Sequence, residues 1–404
     1  MNNPRKQLLC WMDAALAAVD PSHCVAAALC EFPTERVAVL ALGKAATGMS
    51  LGARDALNER IERALIIAPQ IPDETFPVGW QFQAGDHPLP DANSLQAGDA
   101  IESWLRELEP ELHLLVLLSG GGSALAELPV PGMTLANLQG MNRWLLASGF
   151  DIHAVNAIRA RFSRLKQGGL LRLAGKRGVA GLVISDVPGD RVESVASGPL
   201  SPESRQWPNV VLPDWLQILH ANLPRPLQES PEAIAELRIV ARNDDALDAI
   251  EQRASKENVS CVMREALSGD AEEAGIRIGK HLREGRPGLY LFGGETSVRL
   301  PKKPGRGRRN QQLALAAAQE IAGVENIHVL AFGTDGIDGN TGDAGALVDG
   351  ETIERVRAAG LEPYECIATA NANAALTAAG DVIHTGPTGT NVADIVLALK
   401  ISSP

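Results

Sequence analysis

Glycine-rich turns behind apolar runs hold the residues of this chain best suited to chemistry. Ser119, Gly120, Gly121, Gly122 and Ser123 directly follow one such run and precede the start of a helix. Three glycines let the backbone turn its N–H groups inward, and a helix N-terminus adds partial positive charge, so an anion binds readily. A tight turn without a ligand would use the same glycines. The spacing is not G-x-S-x-G, which argues against a nucleophilic serine in a strained elbow.

Two further turns carry charged side chains. Lys44 follows the first apolar run, where an ammonium group at the mouth of a parallel sheet would meet an anionic ligand. Asp186 and Asp190, in SDVPGD, could act as a general base or hold Mg²⁺, and Ser197 lies in a nearby turn that could add backbone donors. The alternatives are a solvated lysine at a helix end and ordinary aspartates in a turn. No Walker A spacing occurs.

Glu295 lies in a turn after another apolar run, and it and Asn310 are candidate substrate- or phosphate-binding residues. A basic segment follows that turn. Residues 299–310 hold six basic side chains, among them Arg309, which precedes Asn310. With glycines interleaved, the segment is expected to be the tip of a hairpin, a mobile loop that closes on phosphates. A solvated charged hairpin is the alternative.

Two later turns could also bind an anion or a metal. Asp335, Asp338 and Asp343 lie in a glycine-rich loop after an apolar run, without EF-hand spacing. This favours a Mg²⁺–nucleotide role over a calcium cage, although a plain turn explains the same residues. Thr388 and Asn391, in TGPTGTN, precede an apolar segment that we expect to be a helix. They could bind an anion or simply cap that helix.

The elements that position these turns repeat along the chain. Short apolar runs alternate with segments of helical period, which indicates βαβ units and a mainly parallel sheet in each half, with helices on both faces. The fold class is therefore α/β. The predicted strands are residues 37–42, 64–68, 112–118, 181–184, 237–241, 259–263, 289–292, 328–332 and 365–368.

The distribution of prolines indicates one domain boundary. Six prolines fall within residues 201–232, so we place the boundary near residue 235, with domains of residues 1–235 and 236–404. Residues 134–175 are expected to form a helical layer over the first domain. His87, in GDHPLPD, is expected in a loop beside the crevice of that domain.

Composition excludes several function classes. The 404 residues carry 37 basic and 49 acidic side chains, a net charge of −12, which argues against broad binding to nucleic acid or anionic membranes. The five cysteines are odd in number, with no pair at CxxC spacing, so neither a disulfide framework nor a zinc site is indicated. No apolar stretch reaches the length of a membrane span. A cytoplasmic protein is expected.

Taken together, the turns favour phosphoryl transfer, in which catalysis is mostly positioning and charge stabilisation. A nicotinamide-dependent dehydrogenase is one alternative, weakened because G-x-G-x-x-G does not occur. A non-catalytic regulator that binds a sugar or nucleotide is another, and no helix-turn-helix or basic domain supports it.

A series of motifs resembles a known family. In chain order they are GKAATGM, GDHPLPDANSLQAG, LLSGGGSALAELP, ISDVPGD, ASGPLSP, GGET, RNQQLAL, GTDGIDGNTGDAGA and TGPTGTN. This order is similar to that of the glycerate 2-kinases with a C-terminal MOFRL domain, whose older label is hydroxypyruvate reductase. The resemblance runs from about residue 44 to residue 399.

The resemblance implies ATP- and Mg²⁺-dependent phosphorylation of D-glycerate to 2-phosphoglycerate. It also implies a Rossmann-like first domain, a MOFRL-type second domain and an active site in the cleft between them. The implied ligands are small molecules, and neither nucleic acid nor a membrane is an expected partner. The protein is expected to be a monomer or a homodimer. Position by position, Lys44, Asp186 and Arg309 match the catalytic lysine, aspartate and arginine. The SGGGS backbone would bind a carboxylate or phosphate, and Asp335 or Asp338 would hold Mg²⁺.

Two departures from the family pattern concern the acceptor. Where family members read GGRNQE, this chain has Arg308-Arg309-Asn310-Gln311-Gln312. Where many members have a helix with the sequence RKHLS…KGG, the matching segment here begins at Arg159, lacks the histidine and has one residue inserted. These changes leave another hydroxy acid open as the kinase substrate, beside the alternative of an NAD(P)H-dependent hydroxypyruvate reductase.

Overall fold

The computed structural model describes residues 3–32, 36–72, 75–150, 152–201, 207–223 and 235–402. The chain begins with helix α1 (Pro4–Ala18) and divides into two units. The first unit is Pro21–Ala241, and the second unit is Arg242–Pro404 together with Met1–Asp20. Within the described ranges, no helix has both the length and the apolar character needed to cross a membrane.

Every paired strand in the sheet of the first unit is parallel to its neighbour. The order is β3-β2-β1-β4-β5-β6, the order of the doubly wound Rossmann sheet, so the predicted Rossmann-like fold is confirmed. All six residues of β1 are buried, because helices cover both faces of a central parallel strand. The strands are β1 (Val37–Leu42), β2 (Ile61–Ala68), β3 (Trp80–Ala84), β4 (His113–Leu118), β5 (Val179–Ile184) and β6 (Ala235–Ala241).

Polar caps set the ends of several helices in this unit. In the capping box of α4, Ser94 Oγ accepts a hydrogen bond from the Asp91 N–H at 3.2 Å. In the capping box of α6, Thr134 Oγ1 accepts a hydrogen bond from the Asn137 N–H at 3.2 Å. Helices α6 to α8 confirm the predicted helical character of residues 134–175. The helices are α2 (Pro21–Leu29), α3 (Ala46–Leu57), α4 (Ala92–Glu107), α5 (Gly122–Leu125), α6 (Leu135–Ala147), α7 (Ile152–Arg161), α8 (Gly169–Ala174) and α9 (Asp214–Asn222).

The sheet of the second unit is mixed, and the prediction of a mainly parallel sheet there was wrong. Its order is β11-β10-β9-β12-β8-β7, and only β7 and β8 pair in parallel. A strand buried on both faces reads as the same apolar run in either direction, so periodicity does not reveal orientation. The strands are β7 (Cys261–Leu267), β8 (Gly288–Gly294), β9 (Ile327–Gly333), β10 (Gly345–Asp349), β11 (Val382–Ile383) and β12 (Asp394–Lys400).

Helices of the second unit include α1, although α1 begins the chain. Arg5 forms ion pairs with Asp349 and Asp381 at 2.6 Å and 2.9 Å, and the Trp11 indole donates to Glu257. The remaining helices are α10 (Asn243–Lys256), α11 (Ala271–Glu284), α12 (Arg309–Glu320), α13 (Thr352–Ala358), α14 (Pro363–Ala368) and α15 (Ala372–Ala379).

The division of the chain therefore differs from a simple boundary at residue 235. Strand β6 completes the first sheet, so the chain enters the second unit at Arg242. Helix α1 belongs to the second unit because it contacts residues more than 340 positions away in the chain. Local composition does not reveal such contacts. Much of the proline-rich segment, residues 202–206 and 224–234, lies outside the described residues.

Two local predictions in the second unit were wrong. Residues 365–368 belong to helix α14, where Pro363 at the first helical position favours a helix over a strand. Residues 299–308 are not the tip of a hairpin, because Arg309 and Asn310 begin α12 and no described strand pairs back from them. By itself, a short apolar run does not distinguish a strand from a helix. A basic run interrupted by glycines likewise does not distinguish a hairpin tip from another kind of loop.

Candidate active site

The turns after β1 and β4 interlock where the strand order of the first sheet reverses. The Lys44 N–H donates to the Gly120 carbonyl at 2.9 Å, and the Ala45 N–H donates to Ser119 Oγ at 3.0 Å. Gly43 has a φ of 134°, and a Cβ there would lie 2.1 Å from Ser119 Oγ. Only glycine allows this approach of the two backbones. In doubly wound sheets, this crevice outside the carboxyl ends of the strands is where ligands bind.

The glycine-rich turn brings several predicted residues together. Gly121 has a φ of 82°, and a Cβ on it would lie 3.1 Å from Lys44 Cγ and 3.3 Å from His87 Cδ2. Ser197 Oγ donates to Ser123 Oγ at 3.0 Å, which joins the turn after β5 to the turn after β4. The SGGGS turn and the side chains of Lys44, His87 and Ser197 are therefore neighbours.

The turn after β5 is backbone-strained. Asp190, Ala196 and Ser197 have φ angles of 50°, 49° and 64°, a left-handed region that costs free energy for residues with a Cβ. Asp186 and Asp190 are half-buried at the carboxyl end of β5, the strand next to β4. Strained residues persist where surrounding structure holds them, which is common at functional sites.

A pocket of about 190 Å³ opens beside the SGGGS turn. Lys166 and Glu127 form an ion pair in its lining, with 3 % and 4 % of their side chains exposed. Glu127 also accepts hydrogen bonds from Ser163 Oγ and from the Leu128 N–H. The two charges are thus neutralised by one another and by further donors, as burial requires.

Arg159 of α7 supplies a second cation to the pocket. Its Nε donates to Oδ1 of the buried Asn142 at 2.9 Å. Burial lowers the pKa of Arg159, and the Glu127 carboxylate opposes that change. Sequence reasoning noted this residue only as part of a family pattern and assigned it no role, because its position in the pocket depends on the packing of α6 and α7.

In the second unit, Arg309 lies between two carboxylates. Glu295 pairs with Arg309 Nη1, and Arg309 Nε lies 3.1 Å from Asp394 Oδ2. Burial alone would lower the pKa of Arg309, but Asp394 and Glu295 raise it overall, so its charge is retained. Burial raises the pKa of Asp394 to about 7, and Arg309 and Asn310 limit the rise.

Strand register explains why Asp394 belongs to this group. It is the first residue of β12 and pairs with Gly294 at the end of β8 and Gly333 at the end of β9. Sequence reasoning missed Asp394. The available signal was an aspartate directly before an apolar run, three residues after Asn391.

Asp338 and Asp335, predicted together as metal ligands, have different environments. Asp338 is 2 % exposed and accepts backbone hydrogen bonds from Arg308, Asn310 and Gln311 at 2.9–3.2 Å, which caps the start of α12. Burial raises the pKa of Asp338, and these backbone donors oppose the rise. Asp335 is half-buried in the turn after β9. The metal role of both residues stays a prediction.

Carboxylates around the turn after β9 are the candidate ligands for Mg²⁺ in this unit. Among the described residues, no group of three or more His, Cys, Asp and Glu side chains could hold a metal ion. Asp335 Oδ1 and Asp394 Oδ1 both border Gly333, at 3.1 Å and 3.3 Å from the position of a Cβ on that glycine. Two carboxylates suit a Mg²⁺ ion that arrives with nucleotide phosphates, since such ions need only one or two protein ligands.

Thr388 and Asn391 lie in the turn before β12. Thr388 Oγ1 donates to the Thr334 carbonyl, and Asn391 Oδ1 accepts from the Ala393 N–H at 3.4 Å. The expectation of a helix after this turn was wrong, because residues 394–400 form the central strand β12. Helix capping therefore does not explain these residues. Their role as anion ligands stays a prediction.

Comparisons with known proteins agree with this architecture. One family model, described as a domain of unknown function (DUF4147), matches residues 7–229, and the MOFRL family model matches residues 288–394. D-glycerate 2-kinase of Thermotoga maritima is 33 % identical over 96 % of this chain and 96 % of its own. The chain belongs to the glycerate kinase family.

The structural comparison leads to the same family. The crystal structure of a glycerate kinase from Thermotoga maritima superposes with a TM-score of 0.85 at 31 % identity, over 98 % of this chain and 99 % of that one. An Agrobacterium vitis relative, 35 % identical over 95 % of this chain and 91 % of its own, bears the provisional name hydroxypyruvate reductase. Membership of the glycerate kinase family makes this chain a kinase.

Proposed function

We propose that the chain is an ATP-dependent kinase that phosphorylates the 2-hydroxyl group of D-glycerate, with 2-phosphoglycerate and ADP as products. The observation that carries this proposal is the meeting of Lys44 with the SGGGS turn at the strand-order reversal of a Rossmann sheet. A lysine beside inward-turned backbone N–H groups suits a phosphate or carboxylate. The D-glycerate 2-kinase named above supports the substrate and the position phosphorylated.

Three side chains have proposed roles in the chemical step. Asp186 accepts the proton of the C2 hydroxyl, or orients that hydroxyl, as the hydroxyl oxygen attacks phosphorus. Lys44 and Arg309 neutralise charge on the transferring phosphoryl group. Glu295 and Asp394 hold the Arg309 guanidinium from two sides, so its orientation is set before substrate binds.

The remaining predicted residues would bind the ligands. The backbone of residues 119–123, with Ser197 and Asp190 beside it, would contact the hydroxy acid or a phosphate. Asn310, Thr388 and Asn391 would contact the nucleotide phosphates.

Asp335, with Asp394 as the adjacent carboxylate, would hold Mg²⁺. Bound Mg²⁺ neutralises charge on the phosphates of ATP.

A coupled assay of the purified full chain tests this function. Protein, D-glycerate, ATP and Mg²⁺ are combined, and 2-phosphoglycerate is resolved from 3-phosphoglycerate by mass spectrometry after chromatography. A parallel reaction contains hydroxypyruvate with NADH or NADPH. ATP-dependent 2-phosphoglycerate is the expected product. Oxidation of the nicotinamide without ATP turnover would instead support the reductase named for the Agrobacterium vitis relative.

A further inference from the structure

The pocket beside the SGGGS turn is lined by more positive than negative side chains among the residues that the structure describes. Three charged side chains among the described residues line it, Glu127, Lys166 and Arg159. Glu127 and Lys166 neutralise one another as an ion pair. Arg159 remains, and the single hydrogen bond of its side chain within the described part of the chain is from Nε to Asn142. The pocket therefore carries a net positive charge.

One nitrogen of the Arg159 guanidinium, Nε, is held by a protein side chain, and the two terminal NH₂ groups are further donors. Its Nε is held at 2.9 Å by Asn142, a residue that is itself only 4 % exposed. The two terminal NH₂ groups have no carboxylate partner in the described ranges. Burial lowers the pKa of Arg159, and the Glu127 carboxylate, which is already paired with Lys166, only partly opposes that change. An anionic ligand would balance the Arg159 charge, and a carboxylate matches the planar fork of a guanidinium.

The size of the pocket limits which anion it can take. Its volume of about 190 Å³ lies below the range of about 300–1,000 Å³ that is usual for pockets that bind drug-sized ligands. A hydroxy acid of about three or four carbons would fill that space. Leu138 and Met141 of α6 form part of the wall and would exclude a longer or second charged group.

The position of the pocket places such an acid near the reacting groups. Gly121 and Ser123 of the SGGGS turn line it, and Lys44 Cγ lies within 3.1 Å of the position of a Cβ on Gly121. An acid whose carboxylate is held at Arg159 would therefore share the pocket with Gly121, the glycine whose Cβ position borders Lys44.

We propose that this pocket is the acceptor subsite and that Arg159 anchors the substrate carboxylate. The inference rests on the proposed glycerate kinase function and adds to it the residue that selects a small monocarboxylate. The Glu127–Lys166 pair positions the pocket wall and does not itself bind the acid. Arg159 is thus a specificity-determining residue whose loss acts on substrate binding more than on turnover.

Direct binding measurements on the full chain test the proposal. Calorimetric titrations would compare D-glycerate, its neutral amide glyceramide, and ATP, with wild type, Arg159→Met and Arg159→Lys. Arg143→Met is the matched control, because Arg143 is an exposed arginine on α6 next to Asn142. Thermal unfolding of each variant checks that it is folded.

We expect Arg159→Met to weaken D-glycerate binding by about 100-fold, the loss typical of charge-assisted hydrogen bonds. Glyceramide and ATP should bind Arg159→Met as they bind wild type, so the preference for acid over amide disappears. Arg159→Lys should retain part of that preference, since it keeps the charge and loses the fork. In the kinase assay KM for glycerate should rise far more than kcat falls. The control variant should match wild type throughout.

The outcomes separate this inference from the proposed function. If wild type makes 2-phosphoglycerate and Arg159→Met keeps the wild-type affinity for glycerate, the subsite is wrong and the function stands. If glycerate binding depends on Arg159 but no phosphorylated product forms, the subsite stands and the function is wrong. If wild type binds neither D-glycerate nor other short 2-hydroxy acids, both are wrong.

Discussion

The Lys166 ammonium group pairs with the Glu127 carboxylate where only 3 % and 4 % of the two side chains meet solvent. Ser163 Oγ and the Leu128 N–H complete the hydrogen bonding of Glu127. A buried pair of this kind costs desolvation energy that its own attraction offsets, so removing one partner is more harmful than removing both.

Single removal of either partner is therefore expected to destabilise the first unit. Lys166→Met or Glu127→Leu should lower the free energy of unfolding by about 3–5 kcal/mol, because each leaves an unpaired buried charge. The double variant should recover most of that loss. Urea unfolding of the full chain measures it, with Arg106→Gln as control, since Arg106 is 72 % exposed and also pairs with a glutamate. Equal destabilisation in single and double variants would contradict the prediction.

Charge removal at Lys44 or Arg309 should act on the chemical step. Lys44→Ala and Arg309→Ala are each expected to lower kcat by about 100-fold or more, with smaller changes in KM for glycerate, because their charges matter most in the transition state. Steady-state kinetics measure both constants. Lys256→Ala and Arg357→Ala, at exposed positions on α10 and α13, are the controls. A variant with near-wild-type kcat and a raised KM would make that residue a binding group.

Asp335 and Asp338 should respond differently to substitution. Asp338→Ala removes the cap of α12, which should lower the free energy of unfolding by about 2 kcal/mol. Asp335→Asn should leave stability unchanged, lower kcat and raise the Mg²⁺ concentration needed for half-maximal activity. Urea unfolding and Mg²⁺ titrations of the rate test this contrast. If Asp338→Asn alters the Mg²⁺ requirement at unchanged stability, Asp338 holds the metal.

The second unit should lose stability in acid through Asp349. Burial raises the pKa of this carboxyl, but Arg355 and Arg5 lower it below its usual value overall. The unfolded chain then binds more protons than the folded chain as pH falls below about 4, so stability present above that pH is lost there. Thermal unfolding at pH 3 to 6 should show a weaker acid dependence in Asp349→Asn. Glu351→Gln, at a position 74 % exposed, should keep the wild-type dependence.

Local sequence determined much of the first unit. Buried runs such as Val37–Leu42 predict strands of a parallel sheet, because a strand of six consecutive apolar residues is apolar on both faces and must be covered on both. Gly43 and Gly121 were recognisable as turn residues because each lies in a glycine-containing segment that follows an apolar run, and the structure gives both a positive φ. These features depend on residues near one another in the chain. The Lys44 and SGGGS turns, the Rossmann-like sheet and the phosphoryl-transfer chemistry could therefore be anticipated.

Tertiary structure alone decided the features that depend on distant residues. The direction of β12, the attachment of α1 through Arg5, and the place of Asp394 beside Arg309 each join segments far apart in the chain. The pocket around Arg159 combines a loop after β3 with α6 and α7. Burial changes what a charged residue does, because an arginine that is solvated in one packing becomes an anion site in another. Residue types and spacing do not carry that information.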